Sequence, residues 1–237
     1  METNFIPIFI GYDFRERAAT NVLIDSLYQK SSIPLSITPL ITKQLRNLKV
    51  YWRAKDPKQS TEFSFSRFLV PYLMNYEGWA IFMDCDMLCK EDISNLWNLR
   101  DENYSAMCVH HEHIPKEDTK FLGEPQTAYP KKNWSSLIMF NCPKCRALSL
   151  DYVNNSTGLD LHRFNWLKDE KEIGALDRSW NHLVDVYSND DENSKKSSPK
   201  ILHWTLGGPW FKGEKQIKEL SKEWFLAREN SIELWNS

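Results

Sequence analysis

No apolar run in this chain approaches the ~20 residues that would span a bilayer, so no segment is expected to cross a membrane. Neither Gly-x-Gly-x-x-Gly nor the phosphate-cradling P-loop pattern occurs, which disfavours dinucleotide- and ATP-binding folds. Gly-x-Ser-x-Gly is missing, and with it the serine nucleophile elbow. His110-His111-Glu112-His113 lacks the HExxH spacing of a catalytic zinc helix, and reads better as a polar pocket rim than as a second metal site. Excess charge is lacking as well: a formal net charge of -2 gives no general attraction to nucleic acid or anionic membrane, so any polyanion must be held locally.

Cysteine is too sparse and too oddly counted for a secreted disulfide framework, with five residues in all. Cys142-Pro-Lys-Cys145 is half of a zinc-ribbon spacing, but Cys85 and Cys89 do not supply a second CxxC, so buried or incidental thiols are the better reading. The start, METNFIPIFIGYD, has no basic residue and only a short apolar run, unlike a secretory signal. A cytoplasmic or cytosol-facing protein is expected.

What the chain does have is aromatic surface. Ten Trp, nine Tyr and twelve Phe make it aromatic-rich; some of that is core, but Trp and Tyr also line pockets for flat or sugar-like ligands. Its 237 residues suit one large domain, taken as 1–237, without an internal repeat. FIPIFIGYD (5–13) reads as a strand feeding a turn, residues 14–30 as a helix, and LSITPLIT (35–42) as a second strand. Residues 53–60 read as a mobile loop, and FSFSRFLVPYLMNYEG (63–78) as a helix with a break near Pro71. WAIFMDCD (79–86) is a buried strand, and YSAMCVHH (104–111) and SSLIMFNC (135–142) are strand-like. EIGALDRSWNHLV (172–184) is expected to be helical, 188–200 a solvated loop, and ILHWTLGGPWF (201–211) a strand ending in a turn. The tail from Gly213 to Trp235 reads as a helix with Ile217, Leu220, Trp224, Phe225 and Ile232 on one face. This order predicts an α/β fold with a mostly parallel central sheet flanked by helices.

Ligands of such sheets bind beyond the carboxyl ends of the strands. That rule sets Gly11-Tyr12-Asp13 and Asp84-Cys85-Asp86 at one edge. Asp84 and Asp86 point the same way if the strand persists, and two like charges that close need something positive between them. Two turn aspartates capping ISNLW would satisfy the same tripeptide. His203 closes the apolar strand ILH and could equally be a core histidine bonded to backbone. Taken together, two carboxylates and one imidazole suit Mn²⁺ or Mg²⁺ and leave positions open for phosphate oxygens. Gly207 and Gly208 would let the backbone approach a diphosphate closely.

The order of these pieces resembles the GT-A-fold glycosyltransferases: strand-Gly-Tyr-Asp, FSRFLVPYL, a strand ending in Asp-Cys-Asp, Asn-Trp-Ser-Ser, then His…Gly-Gly-Pro-Trp. It is most similar to family 8, over roughly residues 5–212. The resemblance implies a Rossmann-like nucleotide-binding half joined to an acceptor half. It also implies metal-dependent transfer from a UDP-sugar to an acceptor hydroxyl, with retention. Asp84, Asp86 and His203 match the family's metal ligands. Gly11, Tyr12 and Asp13 match its nucleoside-holding turn, with Tyr12 a candidate to stack on the base. Arg67 matches an arginine that lies over the donor, and Asn133, Ser135 and Ser136 match a small polar strip facing the donor sugar. Asp177 and Asn181 match the late motif near the reacting carbon. Two departures stand out. Gly208 occupies the place of a lysine before Pro209-Trp210, so phosphate contact falls to backbone amides, the Trp210 indole or Lys212. Leu176-Asp177-Arg178 replaces the usual Asp-Gln. A carbohydrate, glycolipid or protein acceptor is implied, and peripheral membrane contact by the aromatic tail would bring a glycolipid close. The alternatives are a sugar-nucleotide nucleotidyltransferase, disfavoured by a glycine-free FRERAA, and a non-catalytic nucleotide-sugar binder.

Overall fold

The computed structural model describes residues 4–56, 59–112, 131–184, 186–187, 198–211 and 220–232. Strand β1 (Ile6–Gly11) is buried at every position, as a strand covered on both faces must be. One 3-10 turn at Phe14–Glu16 leads into helix α1 (Arg17–Lys30), which turns Ala19, Val22, Leu23 and Leu27 inward. Strand β2 (Leu35–Leu40) pairs parallel to β1 at the sheet edge, where its burial falls off. Helix α2 (Thr42–Asn47) follows.

Residues 63–78 do not form the long helix expected of them. A 3-10 turn at Ser66–Leu69 runs into a four-residue helix α3 (Val70–Leu73). Pro71 sits in its first turn, where the missing N–H costs nothing, rather than at a break. Asn75, Tyr76 and Gly78 then take positive φ and end the segment.

Strand β3 (Trp79–Met83) is fully buried and parallel to β1, with Ile10 opposite Met83. The chain then turns through Asp84–Asp86 into strand β4 (Met87–Cys89) and helix α4 (Ile93–Trp97), which Asp92 caps. Strands β5 (Ala106–Val109) and β6 (Leu137–Asn141) complete the middle of the sheet. Helices α5 (Leu150–Asn155) and α6 (Gly158–His162) precede strand β7 (Ile173–Leu176). The six-stranded sheet runs β2-β1-β3-β6-β5-β7. Three of its five neighbouring pairs are parallel, and β6 is antiparallel to both of its neighbours. The expected α/β architecture is therefore present, with the parallel run β2-β1-β3 on one side of the sheet.

Residues 172–184 are not a helix. Ile173 to Leu176 pair parallel with β5, a 3-10 turn spans Arg178–Asn181, and strand β8 (His182–Leu183) follows. The apolar spacing that mimics a helical face comes from two short buried strands separated by a turn. Strand β9 (Ile201–His203) lies between β4 and β8 in a second, three-stranded sheet. Helix α7 (Ser221–Ile232) closes a smaller core of Val22, Leu88, Val184, Leu202, Trp204 and Trp224. Leu220 and Phe225 pack partly against this core, but Ile232 is 66% exposed and does not share the face. Ile217, Trp235 and most of the 188–200 loop lie outside the described residues. All five cysteines are free and buried. No helix among the described residues is long and apolar enough to cross a membrane.

Candidate metal and nucleotide-sugar site

The two sheets meet at the Asp84–Asp86 turn. The Asp84 backbone N–H donates to the Ser136 carbonyl at 2.8 Å, tying the turn to the large sheet. In the small sheet Met87 pairs with His203, and the Trp204 N–H donates to the Asp86 carbonyl at 3.0 Å. That register brings residues far apart in sequence to one point. Ligand atoms of Asp84, Asp86 and His203 all lie within 4.8 Å of one another. Two ligands of one ion can be separated by at most twice a metal–ligand bond, about 4–5 Å. The set falls within that range, with His203 Nε2 and Asp86 Oδ1 only 3.3 Å apart.

Two of the three side chains, Asp84 and His203, are held from behind. Arg67 is buried and reaches Asp84 Oδ1 with Nη1 at 2.8 Å. The same guanidinium donates to the carbonyls of Ser135 at 2.7 Å and Ser64 at 3.1 Å. Arg67 therefore stands beneath Asp84 and orients it, with its cation over the Phe63 and Phe82 rings. His203 Nε2 lies 3.3 Å from Asp86 Oδ1. That oxygen is buried and accepts no hydrogen bond, the condition expected of a ligand awaiting a cation.

A chain of hydrogen bonds sets the His203 tautomer. The Ser136 hydroxyl donates its one proton to the Asn133 carbonyl at 2.6 Å, so it must accept from Asn181 Nδ2, 2.8 Å away. Asn181 Oδ1 is then the atom facing His203 Nδ1 at 2.9 Å, and Nδ1 carries the proton. With Nδ1 engaged by Asn181, Nε2 is the ring atom that faces Asp86, and its lone pair is the one available to a cation placed between them.

The electrostatics point the same way, and here the structure adds a residue the sequence reading passed over. Glu16, at the entry to α1, shares a helical face with Thr20, which hydrogen-bonds the Cys85 thiol. Burial, then the charges of Asp86, Asp13 and Asp84, push the Glu16 carboxyl well above its usual range. Burial and the same acidic neighbours raise the Cys85 thiol. Against the four carboxylates stand two arginines, Arg15 paired with Asp13 and Arg67 paired with Asp84. The acidic groups outnumber the arginines, and a cation among them would relieve that excess and the pressure on Glu16 to hold a proton. Glu16 could have been found from its i, i+4 relation to Thr20 once residues 84–86 were placed beside α1. The sequence alone does not make that placement.

Other expected site residues fall into two groups. Gly11 is packed against Phe63, whose ring a β-carbon would meet at 2.3 Å. Asp13 is fully buried; burial would raise its carboxyl, but hydrogen bonds from the Arg15 side chain and from the Arg15 and Glu62 amides outweigh that and lower it. Tyr12 is half-buried beside this turn, while Phe14 is 67% exposed at the same edge. Ser135 spends its hydroxyl on His162 Nδ1 at 2.8 Å. Ser135 and Ser136 thus support the site from below. Asn133 takes a left-handed φ of 65° at the start of this turn.

On the far wall Gly207 adopts a φ of 101°, and a β-carbon on Gly208 would strike the Trp210 ring at 2.1 Å. The Trp210 indole N–H is buried without a partner. Asp177 is exposed and caps the following turn, accepting from the Ser179 amide at 2.9 Å and from its hydroxyl. Asn181, the other member of that motif, is fully buried in the relay to His203. His110 stacks on Trp134 at 3.9 Å while His111 faces Tyr187, so these neighbours diverge. Lys212 and His113 lie outside the described residues.

The family model for glycosyl transferase family 8 matches residues 18–150. The chain is also 47% identical over 231 residues to Protein CDI of Arabidopsis thaliana, covering 97% of this chain and 86% of that protein. It belongs to glycosyltransferase family 8. Solved structures share the fold. The bifunctional glycosyltransferase WbbM matches with a TM-score of 0.62 at 15% identity, over 96% of this chain. The chain spans only 50% of WbbM. The galactosyltransferase LgtC, solved with donor and acceptor sugar analogues, matches at 0.56 and 8% identity over 98% of each chain. The six-stranded sheet with its second small sheet is thus a GT-A fold, and membership of the family makes the chain a glycosyltransferase.

Proposed function

We propose that this family 8 member transfers a sugar from a UDP-sugar to an acceptor hydroxyl with retention, using Mn²⁺ or Mg²⁺ held by Asp84, Asp86 and His203. The observation that carries the reading is the convergence of those three side chains from two sheets within 4.8 Å. An ion bound there would neutralise charge building on the departing diphosphate. The protein's own part is preorganisation. Arg67 fixes Asp84, and the Ser136–Asn181 relay engages Nδ1 of His203 so that Nε2 is the ring atom turned to the ion. The Trp210 N–H, unpartnered among the described residues, and the Gly208 amide are the donors assigned to the diphosphate oxygens, with Lys212 as the further cation; Gly207, whose own N–H donates to the Trp204 carbonyl at 3.0 Å, shapes the turn. Tyr12 or the more exposed Phe14 stacks on the base.

Asp177 is already engaged by Ser179, which favours same-face attack guided by the departing phosphate over a covalent intermediate on that carboxylate. The nucleotidyltransferase alternative needs a free basic loop after β1. Arg15 is instead spent on Asp13 and the Ser60 carbonyl. Five free buried thiols suit a reducing, cytoplasmic setting, and the proposal treats 1–237 as one catalytic domain. Incubating the protein with UDP-sugars and Mn²⁺ and following UDP release tests the reading. Tight UDP binding with no turnover for any donor would instead favour a non-catalytic binder.

A further inference from the structure

Away from the Asp84–Asp86 turn, a cleft of about 400 Å³ opens between the segment Trp52–Asp56 and the end of α5 at Asn154 and Asn155. Its prominent feature is Trp52, 49% exposed and stacked on no other ring among the described residues. A large aromatic face left open on a segment free to move would fold down onto apolar surface. This segment is not free to move. Asn154 is buried and uses its whole amide on the fold. Its Oδ1 accepts from the backbone amides of Trp52 at 2.7 Å and Arg53 at 3.0 Å. Its Nδ2 donates to the carbonyls of Val50 at 3.2 Å and Leu150 at 2.8 Å. Arg46 holds the Arg53 carbonyl at 2.6 Å, and Arg53 itself reaches the Val153 carbonyl at 3.0 Å with its guanidinium over the Phe65 ring. The backbone on both sides of Trp52 is thereby pinned, and the indole is presented outward as a fixed platform.

We propose that this cleft is a carbohydrate subsite that takes a neutral oligosaccharide, distinct from the nucleotide-sugar site. The C–H face of a pyranose ring stacks on an open indole, and its hydroxyls seek planar amides and carboxylates at the rim. Asn155 provides such an amide: its Nδ2 donates to Asp151 Oδ1 at 2.7 Å, which orients its carbonyl oxygen. The cleft has no charge bias toward an anion. Lys55 and Asp56 both line it, one charge of each sign, and the Arg53 guanidinium is committed to Val153 and Phe65. Further along the chain, the Ser60 carbonyl accepts from Arg15 and the Glu62 amide donates to Asp13, beside the metal-ligating turn. A sugar chain held on Trp52 would extend an acceptor beyond the unit that reacts, and would set acceptor preference at a distance from the chemistry.

The test uses the full-length ¹⁵N-labelled protein, with the Trp52 indole resonance assigned from its absence in Trp52→Phe. Neutral gluco-, galacto-, manno- and xylo-oligosaccharides are titrated singly, with sugar phosphates and an unrelated peptide in parallel. The expected result is a saturable shift of that resonance by at least one neutral series. Trp52→Ala should weaken that binding at least about tenfold, as loss of an aromatic anchor does, whereas Asp86→Ala should leave it unchanged. Since Trp52 is half exposed, Trp52→Ala should fold, as an unchanged thermal midpoint would verify. The proposal is overturned if no neutral series shifts the resonance, if affinity survives in Trp52→Ala, or if only sugar phosphates or the peptide bind. The Asp86→Ala arm keeps this outcome separate from the fate of the metal site.

Discussion

His203 Nδ1 and Asn181 Oδ1 lie 2.9 Å apart, and the serine beyond Asn181 leaves that amide only one orientation. The imidazole of the proposed metal centre is therefore set by a buried amide that itself faces no ion. Asn181→Leu removes the acceptor while keeping bulk. Mn²⁺ affinity should fall about 10- to 100-fold, the loss typical of removing an outer hydrogen bond to a ligating histidine. Metal-free UDP affinity should be unaltered. Direct Mn²⁺ titration by electron paramagnetic resonance measures this, and an unchanged affinity would remove Asn181 from the site's design.

Arg67 and Asp84 form an ion pair at 2.8 Å in which Arg67 is buried and Asp84 largely so. Removing one member of such a pair leaves the other charge desolvated, at a cost of about 3–5 kcal/mol. Arg67→Ala should lower denaturant stability by that order and weaken Mn²⁺ binding through a loosened Asp84. Arg67→Lys should recover only part of both, since one ammonium cannot serve Asp84, Ser135 and Ser64 together. A variant as stable as the parent would contradict the pairing.

Glu16 gives a pH signature. Burial and then Asp86, Asp13 and Asp84 raise its carboxyl in the folded state, so the fold binds a proton more tightly than the unfolded chain does. Its contribution to stability is complete below the unfolded value, about 4.3, and is lost as pH rises through the elevated folded value. In metal-free protein, Glu16→Gln should raise the melting temperature at neutral pH, with the gain shrinking toward pH 4. Thermal scans across that range would expose a flat difference, the outcome that would place Glu16 in solvent.

Burial pushes the thiols of Cys89 and Cys142 up to about 12, and those of Cys85, Cys108 and Cys145 are raised as well. Thiolates are the reactive form, so none of the five should react with a disulfide reagent at pH 8 until the chain unfolds. Prompt modification of even one in the native protein would contradict their placement.

Much of this was legible from residues, because some local patterns admit few readings. FIPIFIG and WAIFM are short, β-rich and uninterrupted, and both became central parallel strands. Their carboxyl ends put Gly11-Tyr12-Asp13 and Asp84-Cys85-Asp86 on one edge. His203 was reachable because an apolar strand ended there beside a Gly-Gly turn. EIGALDRSWNHLV misled because Ile173, Leu176, Trp180 and Leu183 fall at helical intervals while belonging to two strands and a turn. The pairing of Ile173–Leu176 with β5 is non-local and overrides that spacing. The resemblance set Arg67 over the donor, and no pattern in the sequence told that its guanidinium reaches the Asp84 carboxylate. Glu16, Asn181's relay and the Asn154 clamp depend on contacts between distant elements, which no single-sequence periodicity encodes.

The most direct test is calorimetric titration of UDP with and without Mn²⁺ into the parent protein, Asp86→Ala and His203→Ala. The account predicts metal-enhanced UDP binding in the parent and its disappearance in both variants, with melting profiles still cooperative. Undiminished Mn²⁺-dependent affinity in either folded variant would contradict it.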